Sequence, residues 1–139
     1  MRNLHAYLTF NGNCREAMHF YQGCLQGDLS LQTVGDSPLS DRLPRRMKDC
    51  ILHATLKSNR LLIMGSDMVG KSGLVKGNSV SLMLDCGSVS DMQLCYKNLS
   101  KGGNASHPIE HTVWGAMLGG LTDRYGHHWL LHYHHTQQY

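Results

Sequence analysis

Glu110-His111-Thr112-Val113-Trp114-Gly115-Ala116, followed by Leu121-Thr122-Asp123-Arg124-Tyr125-Gly126-His127-His128-Trp129-Leu130-Leu131, is the stretch that decides the fold. It reads as strand, strand and a tight turn into a last strand. Asp123 to Gly126 has the composition of a β-turn, with an Asx residue opening it and Gly at its fourth position. Large apolar residues resume at Trp129. The turn is expected to feed the last strand of a small α+β domain.

Working outward, the order of elements repeats. Leu4 to Phe10 reads as a strand, broken by Asn11-Gly12-Asn13. Cys14 to Leu25 carries apolar residues at Ala17, Met18, Phe20, Tyr21, Cys24 and Leu25, a helical stripe. Asn13 with Glu16 three positions on has the spacing of a capping box. Asp28 to Val34 is a strand, Gly35 to Lys48 a long loop, and Asp49 to Lys57 with Arg60 to Ser66 a hairpin. Residues 68–78, rich in Gly and Lys, read as a linker. The second half repeats the order. Ser79 to Cys86 is a strand. Ser90 to Ser100 is a helix with Met92, Leu94, Cys95 and Leu99 inward. Strands follow near Ala105 to Val113, Gly115 to Thr122 and His127 to Tyr133. The expectation is one α+β domain over residues 1–139, made of two βαβββ modules at 1–67 and 79–139. Each module has a sheet face that must be covered, so the pair is expected to form a curved mixed sheet around a cavity.

Composition narrows the function classes. The apolar fraction is 41%, enough for a core, and charged residues are 17%, which argues against disorder. A formal net charge of +3 is too small to indicate nucleic acid. Arg42, Arg45, Arg46 and Lys48 cluster in the Pro-containing loop and read as a solvated loop. No apolar run has the length of a membrane span, and Met1-Arg2-Asn3 does not open a signal peptide. The five cysteines (Cys14, Cys24, Cys50, Cys86, Cys95) form no C-x-x-C pair and read as free thiols of a reducing cytoplasm. No G-x-S-x-G, Walker or G-x-G-x-x-G pattern occurs between a strand and a helix.

The segments Tyr7 to Tyr21, His53-Ala54-Thr55-Leu56, Leu99-Ser100-Lys101-Gly102-Gly103, and Trp114-Gly115-Ala116 with Thr122 to Gly126 and Trp129 resemble the vicinal oxygen chelate superfamily. This is the glyoxalase/bleomycin-resistance/dioxygenase fold, and the match is to its PhnB-like (3-demethylubiquinone methyltransferase-like) branch. The resemblance implies paired βαβββ modules and a homodimer. It says much less about reaction, because this fold carries isomerases, dioxygenases, transferases and drug-binding proteins. The branch's methyltransferase label finds no Gly-rich loop of the kind that holds S-adenosylmethionine.

Metal-dependent members of the superfamily use a His at the start of the first strand, a His on the first strand of the second half, and a Glu in the last strand. The metal polarises two neighbouring substrate oxygens. Carried over, these positions fall on Ala6 (with His5 one residue off), on Ser79 or Ser81, and on Leu130. The expectation is that the usual metal site is absent and that no cofactor is needed. The rival reading is a divalent metal in a displaced site around His53 and Glu110. For His53 the plain reading is a hydrogen-bonded core histidine. For Glu110 it is an edge carboxylate, and the functional reading is a general base. Trp114 and Trp129 read as core, although Trp114 is also kept among the candidate contacts. The terminal histidines (His127, His128, His132, His134, His135) read as solvated. By the ligand register, His128, Leu130 and His132 turn to the cavity, as do Ala6, Leu8 and Phe10 of the first strand. Candidate ligand contacts are therefore Ala6, Leu8, Phe10, His53, Ser81, Glu110, Trp114, Leu130 and His132. The favoured function is a cytoplasmic, homodimeric small-molecule-binding protein. The alternatives are a glyoxalase-type lyase, isomerase or dioxygenase-like enzyme, and an antibiotic-sequestering resistance protein.

Overall fold

The computed structural model describes residues 1–135. The chain divides into two compact units, Met1–Val75 and a second from Lys76 on. The first contains β1 (Ala6–Thr9), α1 (Cys14–Leu25), β2 (Asp28–Thr33), β3 (Ile51–Ser58) and β4 (Leu61–Ser66). The second contains β5 (Leu82–Asp85), α2 (Val89–Leu99), β6 (Asn104–His111), β7 (Ala116–Thr122) and β8 (His128–His134). The α+β class and the βαβββ order in both halves are as expected.

Each unit has its own four-stranded mixed sheet, ordered β1-β4-β3-β2 in the first and β5-β8-β7-β6 in the second. In both, the first strand lies parallel beside the fourth, and the remaining pairs are antiparallel. A parallel neighbour requires a crossover, and the helix after the first strand opens that crossover in each unit. Within each unit one sheet face is covered by the helix and the other is turned away from it.

In the first unit Cys14, Ala17, Met18 and Tyr21 of α1 are fully buried, as are Ile51 and Ala54 of β3. Gly65 of β4 marks the covered face: a Cβ there would meet Cys14 Sγ at 3.1 Å and Met18 Sδ at 3.2 Å. Residues side by side on paired strands share a face. Leu8 and Ala54, both opposite Gly65, therefore lie under α1. In the second unit Met92 and Leu99 of α2 are fully buried, as is Leu131 of β8, and Trp129 is 3% exposed. Leu94, expected inward, is 58% exposed. It lies between the buried positions Met92 and Cys95 and falls outside their stripe.

The helix starts are held differently from one another. Ser88 caps α2 by accepting from the Asp91 amide at 3.0 Å. Asn13 makes no side-chain cap at α1, so the expected capping box is not formed. Its place is taken by Asp67, a buried residue directly after β4. Asp67 Oδ1 accepts from the backbone N–H of Gly12 (3.0 Å) and Cys14 (2.9 Å), and Oδ2 accepts from Ile51 N (2.9 Å). One carboxylate thus ties the start of α1 to the start of β3 and favours the helix dipole. Burial, and then the Asp67 charge, push the Cys14 thiol up to about 12.

The second unit uses Asp123 in a comparable way at its last turn. Gly126 N donates to Asp123 O at 3.0 Å, closing the turn read from the sequence, and Gly126 takes φ +86°. Asp123 Oδ1 accepts from Tyr125 N (2.8 Å) and His127 N (3.1 Å). Oδ2 accepts from the buried Trp129 indole N–H at 2.8 Å. Trp129 can therefore sit in the core with its one polar group satisfied.

Two outcomes follow. Asp67→Ala leaves three backbone donors without their acceptor and should cost about 3 kcal/mol of stability, read as a lower urea midpoint with the helix signal lost earliest. Burial holds His127 below the usual imidazole value against the opposing pull of Asp123, with Lys76 and His128 adding to the depression. The unfolded chain therefore takes up this proton at higher pH than the folded one. Its contribution is neutral above the unfolded value of about 6.5 and destabilising as pH falls below it. His127→Gln should flatten that acid-side loss in thermal melts between about pH 7 and pH 5.

Candidate functional site

The open face of the second sheet presents two cross-strand rows. One is Asp85, His132, Leu118 and Glu110; the next is Met83, Leu130, Gly120 and His107. The register read for β8 is thus the one formed: Leu130 and His132 face the open side, while Trp129 and Leu131 pack under α2.

Over these rows lies a hollow of about 270 Å³, lined mainly by His107, Pro108, Glu110, Leu118, Gly120 and Leu130. Its shape comes from β6 and β7. The β6 register slips twice, between Asn104 and His107 and between His107 and Glu110. Such bulges bend a strand away from even pairing. Gly119 and Gly120 thin the floor on both sides. A Cβ on Gly119 would press into Ile109 Cγ1 at 2.8 Å, whereas a Cβ on Gly120 would enter the hollow 3.3 Å from Leu130 Cδ2. Tyr96 of α2 braces the floor from behind. Its hydroxyl donates to the carbonyls of His107 (2.9 Å) and Gly120 (3.1 Å), joining β6 to β7 where the register is irregular. Burial raises the Tyr96 phenol, which keeps it a donor. Sequence reading gave Tyr96 no role. Its position between buried Met92 and Leu99 on α2 was visible, but the slip it braces was not.

Beside the hollow, His132 Nδ1 donates to Asp85 Oδ1 at 2.8 Å. The imidazole is largely covered (13% exposed) and the carboxylate is 62% exposed. His128 is anchored at both nitrogens, Nε2 donating to Gly77 O (3.2 Å) and Nδ1 bonded to Thr122 Oγ1 (2.9 Å). These residues are fixed by hydrogen bonds rather than solvated.

The structure sorts the candidate contacts. Glu110, Leu130 and His132 come together on the second unit's open face, with Glu110 and Leu130 lining the hollow. Ser81 is exposed and precedes β5. Trp114 is 77% exposed in the β6–β7 connection, so its core reading is corrected. The Thr112-to-Gly115 turn holds the chain there by its backbone and leaves the indole outward.

In the first unit Ala6 and Leu8 share the α1 face with Ile63 and Gly65, and Phe10 is 3% exposed with its ring beside Gly65. These three are core or core-side positions, not open-face ones. Pairing with β4 sets the parity, and it turns Tyr7 and Thr9 outward instead. His53 lies on that open face, half-buried. Its Nε2 is 3.2 Å from Thr55 Oγ1 and its ring centroid 6.4 Å from that of Tyr7. It is hydrogen-bonded as expected but is not a core residue.

The donor set does not fit the superfamily's usual metal site. Leu130 offers no donor atom, Ala6 offers none and faces α1, and Ser81 stands outside the sheet. Among the described residues no three His, Cys, Asp or Glu side chains gather as a metal-holding group.

Comparison with known proteins agrees with the fold. The family model described as 3-demethylubiquinone-9 3-methyltransferase matches residues 2–132. The protein PA1353 of Pseudomonas aeruginosa has 32% identity and a TM-score of 0.84, covering 96% of this chain and 98% of that one. Protein YjdN of Escherichia coli is 29% identical over 137 residues, 92% of each chain. A glyoxalase/bleomycin resistance protein of Albidiferax ferrireducens, at 14% identity and TM-score 0.63, covers 93% of this chain and 95% of its own and shares the fold alone.

The methyl-transfer description implies S-adenosylmethionine, and the residues present do not fit it. The turn from β1 into α1 has its Gly12 and Cys14 N–H groups already committed to Asp67. The second such turn is capped by Ser88.

The Asp85–His132 bond fixes a tautomer. In an imidazole nitrogen NMR spectrum at neutral pH, His132 should carry its proton on Nδ1. Asp85→Ala should shift it toward the Nε2–H form common in free histidine.

Proposed function

The chain belongs to the family described as 3-demethylubiquinone-9 3-methyltransferase, the PhnB-like branch of the vicinal oxygen chelate superfamily, and on that premise we propose that it binds a small, mostly apolar molecule on the open face of its second module. The observation that carries this is the hollow whose floor is bared by Gly120, walled by Leu118, Leu130 and Pro108, and edged by the carboxylate of Glu110. Ligand sites combine such apolar walls with a few polar anchors. At about 270 Å³ the hollow suits a ligand of roughly one ring system, just below the usual range of about 300–1,000 Å³. Glu110 is its one carboxylate and is the group to accept a proton or a hydrogen bond from the bound molecule.

Binding needs no metal on this reading, since the first and third positions of the superfamily's metal set fall on Ala6 and Leu130, which carry no donor atom, and the second on a serine ahead of β5. The proposal extends to a homodimer acting in the cytoplasm, with neither nucleic acid nor membrane as a partner. No helix among the described residues is long and apolar enough to cross a membrane.

The test is a nuclear magnetic resonance titration with a panel of neutral, cationic and anionic monocyclic aromatics. Shifts should map to Glu110, Leu118, Gly120 and Leu130, and Gly120→Leu should weaken the best binder by about tenfold. Shifts confined to other surfaces would refute the site. The chelated protein is then back-titrated with zinc, nickel, manganese and iron. One tightly bound ion per chain, lost in Glu110→Ala or His53→Ala, would replace this reading with the enzyme one.

A further inference from the structure

We infer that the hollow on the second module takes a primary amine, which presents its protonated nitrogen to Glu110 and lays one apolar ring over Leu118, Gly120 and Leu130. This rests on the small-molecule site proposed above and names the class of molecule that the site accepts. The carboxylates of the module are engaged elsewhere, except one. Asp123 is buried in its turn, where it accepts from Tyr125 N, His127 N and the Trp129 indole. Asp85 is bonded to His132 at 2.8 Å. Asp91 stands in the first turn of α2, with Cys95 Sγ 3.8 Å from its Oδ1. Glu110 takes part in no hydrogen bond or ion pair among the described residues, and its cross-strand neighbour Leu118 offers it none.

The basic side chains of the module stand away from the hollow. No Lys or Arg lines it. Lys76 Nζ donates to Tyr125 O at 2.6 Å and Arg124 Nε donates to Lys101 O at 3.0 Å, so both are held at the β7–β8 turn. Lys97 is in the last turn of α2, which covers the opposite face of the sheet, and Lys101 follows that helix. A bound anion would therefore meet Glu110 with no counter-charge to offset it. A cation meets a carboxylate flanked by apolar walls, where the lowered dielectric strengthens the attraction.

The lining also selects the kind of cation. Quaternary ammonium groups are recognised by aromatic cages, and no Phe, Tyr or Trp lines the hollow. A carboxylate instead accepts a short, charge-assisted hydrogen bond from an N–H donor. The Thr112 hydroxyl, the other oxygen-bearing side chain of the lining, already accepts from the amides of Trp114 and Ala116 at 3.3 Å each. Glu110 is thus the anchor, and the volume of about 270 Å³ leaves room for a single ring beyond it.

Probes of one shape and different charge provide the test. The folded chain is titrated by nuclear magnetic resonance with benzylamine, benzyl alcohol, benzoate and benzyltrimethylammonium at pH 8, above the ordinary imidazole range, where benzylamine is still protonated. Benzylamine should shift Glu110, Leu118, Gly120 and Leu130 and bind about fivefold tighter than benzyl alcohol, with benzoate the weakest. Added salt should weaken benzylamine and leave benzyl alcohol unchanged. Glu110 is exposed, so Glu110→Gln spares the core; it should bring benzylamine down to the level of benzyl alcohol without altering the alcohol. Benzyl alcohol, benzoate or benzyltrimethylammonium binding the hollow as tightly as benzylamine overturns the amine and leaves the apolar site standing. Equal weakening of benzylamine and benzyl alcohol in Glu110→Gln overturns it too, because a merely structural role would do that. Failure of every probe to shift the residues of the hollow overturns the site itself and the amine with it.

Discussion

The Asp67 carboxylate is the constraint on which the first module depends. Both of its oxygens are taken by backbone N–H groups from two distant points of the chain, the entry to α1 and the entry to β3. A buried charge is tolerated only when its hydrogen bonds are made. Here they also fix where the helix begins over the sheet, and thereby which face of β1 the helix covers. Asp123 does the corresponding work at the β7–β8 turn, where it satisfies the Trp129 indole as well as two turn amides. The modules share an order of strands, yet each is secured by its own carboxylate at a different place in that order.

That difference carries into the open faces. The first module shows Tyr7, Thr9, His53 and Thr55, a modest polar surface held by one hydrogen bond between neighbours on β3. The second shows a fixed imidazole–carboxylate pair, a free-standing glutamate and a glycine floor. Two bulges in β6 and the Tyr96 brace make a hollow in the second. The backbone plan is thus common to both halves, while the chemistry resides in side chains set on it.

Elements with a local cause were legible in the sequence. The α1 stripe, the Asp123-to-Gly126 turn and the inward Trp129 each follow from spacing or turn chemistry within a few residues. The β8 register was legible from the resemblance, whose last ligand position falls on Leu130, and the burial of Trp129 and Leu131 agrees with it. What failed had a distant cause. Ala6, Leu8 and Phe10 were assigned by counting, but their face is set by pairing with β4, where Leu8 stands beside Gly65. Their apolar alternation was itself the mark of the covered face. Asn13 has a capping sequence, but a carboxylate more than fifty positions away satisfies the amides it would have served. Asp85 and Tyr96 gained their roles only from partners brought in by the fold, His132 in one case and the β6 and β7 carbonyls in the other.

The closing segment therefore contributes in two ways that pull apart. Its turn and Trp129 complete the core of the second module. Its alternate residues, Leu130 and His132, are open to change because they face away from that core. Leu130 puts an apolar wall at the position where the superfamily's metal-dependent members carry a carboxylate, and His132 takes a hydrogen-bond partner from β5. With both neighbours on the sheet in place, that face gains rigidity from hydrogen bonds and apolar packing alone. On the proposed reading, a site so built would select its occupant by shape and by the Glu110 carboxylate.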